Sequence, residues 1–330
     1  MGAQLRVYRR RIRSVQSTKK ITKAMELIAA SRIAKAQARM REARPYTDEL
    51  TRALAAVGGD TSLEHPMLTG VEEPRRTGIL VITSDRGLAG GYNANALKRA
   101  NDLASRLERD GREVVRYVIG RKGVAFYRFR RIEMAGEWTG FSEQPDFRHA
   151  RGATEAVVAA LTATSAGELP ADEGADAASG IDELYVVYTR FDNSVTQTPI
   201  ASLVSPVQGA AEEGAETMSR TADESGDRAD KGDQKDRDSG EYEFEPDAEQ
   251  LIAALLPRYI SARIFSALLE SAASESAARR RAMKSASDNA TELIRTYTRL
   301  ANQARQAEIT QEISEIVGGA DALAAAGSDE

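Results

Sequence analysis

Between Asp247 and Val317 the chain contains no glycine, and Pro257 is the one helix breaker in the run. Asp247 with Gln250 three positions on reads as a capping box, and the Gly318-Gly319 pair reads as the stop, so a single helical element is expected over 246–318. A kink or a short lead-in helix is expected at Pro257. At 1.5 Å per residue, a helix from Arg258 to Val317 spans roughly 90 Å, about twice the width of an ordinary domain. Such an element cannot be packed inside this chain alone. About half of the residues from Ser261 to Ala290 are Ala or Ser, with Ile264, Leu268, Leu293 and Leu300 as scattered larger apolar points. Small side chains let a second helix approach closely but bury little area, which implies a slender coiled coil of moderate intrinsic stability. A slender, protruding helix needs a sleeve.

The partner helix is at the other end of the chain. Leu5, Tyr8, Ile12, Val15, Thr22, Met25, Ala29, Ile33, Ala36 and Met40 recur at steps of three, four and seven residues, which predicts an amphipathic helix over 1–59, bending at Pro45 and stopping at Gly58-Gly59. Two long amphipathic helices at opposite ends of one chain can pair as an antiparallel coiled coil. The first 44 residues carry thirteen arginines and lysines against only Glu26 and Glu42, although the whole chain has a net charge of -5. This local excess of positive charge is either a solvated helix face or a surface for an acidic partner, nucleic acid or protein.

Composition removes several chemistries. No cysteine is present, and His65 and His149 are the two histidines, so disulfides, thiolate zinc sites and cysteine nucleophiles are excluded and a histidine metal site is not expected. Aromatic residues make up 5% of the chain, which argues against two large cores. The N-terminus runs straight into arginines with no apolar segment behind it, unlike a signal peptide, and no run is expected to approach the 18 or so apolar residues of a membrane span.

The middle of the chain alternates. Gly78 to Thr83 reads as a short, fully buried strand. It is followed by the glycine-rich turn Ser84-Asp85-Arg86-Gly87-Leu88-Ala89-Gly90-Gly91-Tyr92-Asn93-Ala94-Asn95 and a helical pattern to about Asp110. A strand over Val114 to Ile119, a short helix from Lys122, an apolar segment near Ile132, a helix from Asp146 to about Thr164 and a strand over Glu183 to Phe191 continue the pattern. Residues 194–207 form a further strand, placed at an edge by Pro199 and Pro206. The expected fold class is therefore α/β: a long antiparallel coiled coil of the N- and C-terminal helices plus a small Rossmann-like α/β domain over 76–208. Residues 60–75 read as a polar connector. The acidic segments 167–180 and 209–240 carry too few apolar side chains to offset the entropy of ordering and read as mobile surface inserts. For the first of these, a regulatory role is weighed against simple tolerance of a longer loop.

Glycine-rich turns between strand and helix often cradle phosphate, but Gly87, Gly90 and Gly91 match neither G-x-G-x-x-G nor G-x-x-x-x-G-K-[ST], and no acidic residue closes the second strand to hold a ribose. No cofactor is expected. A nucleophile with a histidine base, a P-loop lysine and a metal cluster are all missing from the sequence pattern, so the chain is not expected to be an enzyme.

Several stretches resemble the gamma subunit family of rotary F-type ATP synthases. The strongest runs from Ala304 through Arg305, Gln306, Thr310 and Glu312 to Gly319. Met283-Lys284-Ser285-Ala286-Ser287-Asp288-Asn289-Ala290 and Ile21-Thr22-Lys23-Ala24-Met25-Glu26-Leu27-Ile28-Ala29-Ala30-Ser31-Arg32 resemble two further landmarks, and the Ser84 to Gly91 turn resembles the family's Ser-Asp-Arg-Gly-Leu-x-Gly-Gly motif, in a domain that binds no nucleotide. The resemblance implies a central rotor shaft that couples proton flow through a c ring to ATP synthesis on beta subunits, with alpha, beta and epsilon subunits and the c ring as partners. It implies a peripheral position on the cytoplasmic face of the cell membrane. It also implies contacts with beta subunits at Lys23, Met25, Arg279, Arg305, Gln306, Thr310 and Glu312, and a foot against the c ring at Tyr242 and Glu245. At each beta contact the bland alternative is a solvated coiled-coil position, and at Met25 simple core packing. The competing readings of the whole chain are a basic coiled-coil scaffold for nucleic acid and a Rossmann-type enzyme with helical dimerisation arms.

Overall fold

The computed structural model describes residues 2–58, 65–165, 180–207 and 248–326. Tyr242, Glu245, most of the insert 167–180 and the insert 209–240 lie outside the described residues. The elements run α1 (Gly2–Gly58), α2 (Pro66–Thr69), β1 (Arg76–Ile82), α3 (Tyr92–Arg109), β2 (Glu113–Ile119), α4 (Arg121–Phe129), β3 (Gly136–Trp138), α5 (Phe147–Ser165), β4 (Glu183–Phe191), β5 (Gln197–Ser205) and α6 (Ala248–Ala326). Two compact units result, one made of residues 1–30 with 279–330 and the other of residues 31–278.

The second unit contains a five-stranded sheet of order β3-β2-β1-β4-β5, parallel except for β5, which pairs antiparallel with β4 at the edge. Alternation along the strands sends side chains to two different cores. Ile79, Val81, Tyr185 and Val187 face α3 and α4, where Leu97, Leu103, Leu107, Val124 and Tyr127 close the layer. Leu80, Ile82, Leu184 and Val186 face the other way, onto Val157 and Leu161 of α5, Leu54 of α1, and Ile252, Leu256, Ile264 and Leu268 of α6. Both faces being covered is why β1 reads as a continuous apolar run rather than an alternating one. Pro199 sits on β5 opposite Thr189, as an edge strand permits.

Several expected boundaries shift. α6 does not stop at Gly318-Gly319 but runs to Ala326. A glycine costs about 1 kcal/mol inside a helix relative to alanine, and the alanine-rich residues that follow offset this. Pro257 and Pro45 lie inside unbroken helices. On either side of Pro257 the buried Leu256, Tyr259 and Ile260 hold the helix in place, so packing outweighs the lost backbone hydrogen bond. The third strand is Gly136–Trp138, and Ile132 instead packs against the α3/α4 core. The stretch 60–75 is not merely a connector: it includes α2, whose Met67 and Leu68 are buried in the main core. An 18-residue window within α6 is also long and apolar enough to pass as a membrane span, at mean hydropathy 1.4. Of that window, 44% is buried inside the protein.

A polar seam runs along the α6 face of the sheet. The Ser274 hydroxyl donates to the Thr189 carbonyl at 2.9 Å, and Arg263 reaches the Ser202 hydroxyl at 3.5 Å. Burial pushes the Glu270 carboxyl up, even though the Phe191 N–H and the nearby Arg190 and Arg263 favour its charged form. From Ser271 to Ala278 every residue of α6 is buried. A helix buried all round can fit this closely only because these side chains are mostly Ala and Ser.

In the other unit the helices of the two chain ends pair. Tyr8 stacks on Tyr297 with ring centroids 6.4 Å apart, and the Arg11 guanidinium lies 5.6 Å over the same ring. The stripe expected for α1 is present: Thr22 and Ala29 are buried, with Leu5, Tyr8, Ile12, Val15 and Met25 half-buried. This is an antiparallel coiled coil with a polar, strongly basic exterior.

Candidate subunit interface

On the coiled-coil unit, Lys23 is exposed and pairs with Glu26 one turn away at 3.1 Å. Met25 is half-buried, between a packing position and a contact position. Arg305, Gln306, Thr310 and Glu312 are all exposed, and the Thr310 hydroxyl is turned back onto the Gln306 carbonyl at 2.9 Å. Arg279 differs from the rest: only 4% of it is exposed, so it is not a solvated coiled-coil position.

Sequence reading passed over the aliphatic residues beside these. Ile309, Ile313, Ile316 and Val317 are 44%, 56%, 71% and 54% exposed, and Ile309, Ile313 and Ile316 share a stripe at spacings of four and three. On α1, Ile21, Leu27 and Ile28 are likewise exposed, between 53% and 63%. Scattered exposed leucines are ordinary, but a stripe at the end of a long helix, rimmed by charge, marks an interaction surface. The signal was in the sequence as Ile309-x-x-x-Ile313-x-x-Ile316; what it lacked was the exposure.

The glycine-rich turn is closed upon itself. The Asp85 carboxylate accepts the Ser142 N–H at 2.9 Å and the Arg121 N–H at 3.1 Å, while the Asp85 N–H donates to the Ser142 hydroxyl at 2.8 Å. Asp85 thus occupies the N-terminus of α4, the position where a phosphate would otherwise be received. Asn93 accepts the Ser84 N–H at 2.9 Å and fixes the other limb of the turn. Burial raises the Asp85 pKa, but the N–H groups of Ser142, Gly140 and Arg121 and the Ser142 hydroxyl outweigh it and hold the carboxyl below its ordinary value of 3.8. Because the folded value is depressed, the stabilisation is present above pH 3.8 and is lost as pH falls through the folded value. Asp85→Asn is expected to cost about 2 kcal/mol in denaturant unfolding at pH 7, and the difference from the unmodified protein should shrink steadily in acid below that value.

The comparisons agree with this geometry. The family model described as ATP synthase matches residues 4–323. The ATP synthase gamma chain of Acidothermus cellulolyticus is 52% identical over 331 residues, covering 100% of each chain. That of Streptomyces coelicolor is 50% identical over 331 residues, again covering 100% of each. Among solved structures, a chain of the Euglena gracilis mitochondrial ATP synthase, in an assembly of OSCP, F1 and c-ring, matches with a TM-score of 0.63 at 17% identity over 98% of this chain and 95% of its own. A chain from the Euglena rotor structure matches at 0.57 and 16%, covering 94% and 100%. With a family model spanning nearly the whole chain and relatives at half identity end to end, the protein belongs to the ATP synthase gamma chain family.

Proposed function

We propose that the chain is the central rotor shaft of an F1Fo ATP synthase. In this role it carries rotation driven by proton flow through the c ring to the catalytic beta subunits and performs no bond chemistry itself. The observation that carries this reading is the exposed aliphatic stripe Ile309, Ile313, Ile316 on a coiled coil whose other helix is heavily basic. A surface of that kind favours cover by a second protein, and the partner that fits it offers both apolar contact and negative charge. A slender coiled coil built on small residues suits turning inside such a sleeve. Alpha, beta and epsilon subunits and the c ring are the partners that fit, and the position is peripheral, on the cytoplasmic face of the cell membrane. The same cations would suit nucleic acid, but the family comparisons give that reading no support.

Lys23, Met25, Arg305, Gln306, Thr310 and Glu312 remain our proposed contacts with the beta subunits, whereas Arg279, at 4% exposure, has almost no surface left to offer a partner and is not kept among them. Loss of a charged hydrogen bond at a wet, moving contact costs less than the roughly 2 kcal/mol of a buried one. Replacing Arg305 and Gln306 together by alanine is therefore expected to lower ATP turnover about tenfold or less while alpha and beta subunits still copurify with the tagged chain. Unchanged turnover in the assembled enzyme removes these two residues from the contact. Failure of the tagged, unmodified chain to bring down alpha and beta subunits removes the rotor reading.

A further inference from the structure

One carboxylate ties α1 to the end of the sheet. Glu143, on the loop between β3 and α5, forms ion pairs with Arg32 of α1 and, at 3.4 Å, with Arg86 of the turn after β1, and its side chain is 12% exposed. About two turns further along α1, Arg39 donates to the Pro145 carbonyl of the same loop at 3.3 Å. From the opposite side the loop is pinned by the reciprocal Asp85–Ser142 hydrogen bonds. Phe141 stacks on His149 of α5 with centroids 4.8 Å apart. Residues 141–145 are thus a wedge held at both ends, with α1 on one side and the C-terminal end of β1 on the other.

Apolar contact is non-directional and offers little resistance to a helix sliding along its own axis or rolling on a sheet. Two guanidinium groups converging on one shielded carboxylate are directional and resist both. We propose that Glu143 is a positioning residue for rotary coupling: it locks α1 to the sheet domain so that torque received by one is carried by the other without slip. This inference rests on the rotor reading. It concerns an ion pair between two elements of this chain and not a contact with another subunit.

The test uses the assembled enzyme in inverted membrane vesicles, with ATP hydrolysis and ATP-driven proton pumping measured on the same preparation. Glu143→Ala and Arg32→Ala are each expected to lower protons pumped per ATP hydrolysed about threefold, Glu143→Gln less, and the double variant Arg32→Ala/Glu143→Ala no more than either single one, because the two residues act through one interaction. A role in folding alone would lower hydrolysis and pumping together, through fewer assembled enzymes, and leave their ratio unchanged. An unchanged ratio overturns the proposal, as does a double variant in which the two losses multiply. Should the unmodified chain fail to assemble or to pump, the rotor reading falls with it, which distinguishes that failure from failure of the Glu143 tie.

Discussion

Gly120→Ala is expected to abolish folding of the sheet domain, or to leave it at least about 4 kcal/mol less stable in denaturant unfolding. Gly120 joins β2 to α4 at φ +99°, a conformation that L side chains rarely adopt. A Cβ there would lie 2.2 Å from the Thr83 carbonyl oxygen and 2.6 Å from its carbon. Both are backbone atoms of the neighbouring strand end and cannot swing aside. Around this point the Gly120 N–H donates to the Trp138 carbonyl at 2.8 Å, and the Thr83 hydroxyl bonds the Ile119 carbonyl at 2.8 Å, so a shift would break the ladder on both sides. Gly111→Ala provides the control. Gly111 also has a positive φ, +80°, but an added Cβ meets nothing within 4 Å, so it carries the backbone strain without the clash. Its cost should be about 1 kcal/mol. Equal costs for the two substitutions would show that the close approach at Gly120 is not what fixes the glycine.

Ala273→Leu is expected to cost about 3 kcal/mol in the isolated chain, at the upper end for overpacking, because residues 271–278 of α6 are buried all round and leave no side on which to relax. Ala273 itself is 0% exposed. Added volume there should force α6 away from the sheet and break the Ser274 hydrogen bond to the Thr189 carbonyl. In the assembled enzyme this should appear as reduced incorporation of the chain. Ala253→Leu on the same helix, at an exposed position, should change stability by under about 0.5 kcal/mol. A small effect at Ala273 would mean that the Ala/Ser seam is loosely packed and that close approach is not why its residues are small.

Local pattern made most of the architecture legible. The α1 stripe from Leu5 to Met40 and the glycine-free run before Val317 each repeat one simple rule over many turns, so isolated exceptions such as Pro45 and Pro257 do not erase the signal. The strand β4 was readable to its faces, Tyr185 and Val187 on one side and Leu184 and Val186 on the other, because alternation and burial agree there. The four-residue α2 was not readable, since a single turn has no period; only its burial shows that Met67 and Leu68 belong to the core. Gly318-Gly319 misled because a glycine pair is a frequent stop whose cost a following alanine-rich stretch can offset.

At the site, the exposed polar residues Arg305, Gln306, Thr310 and Glu312 could be found from a local motif. The wedge could not. Glu143, Arg32 and Arg86 are ordinary charged residues far apart in sequence, and nothing local to any of them specifies the other two. Asp85 stood inside a readable motif, yet its task of capping α4 and holding Ser142 depends on a loop more than fifty residues away.

The rotor claim itself is tested most directly by watching the chain turn. The sequence has no cysteine, and Phe129 at the end of α4 is 89% exposed, so Phe129→Cys supplies the chain with a single reachable thiol for a bead. With alpha and beta subunits immobilised and ATP added, the bead is expected to rotate steadily in one direction, and to stop when ATP is withdrawn. ATP hydrolysis by the same immobilised particles with the bead showing only random, undirected motion would contradict the account.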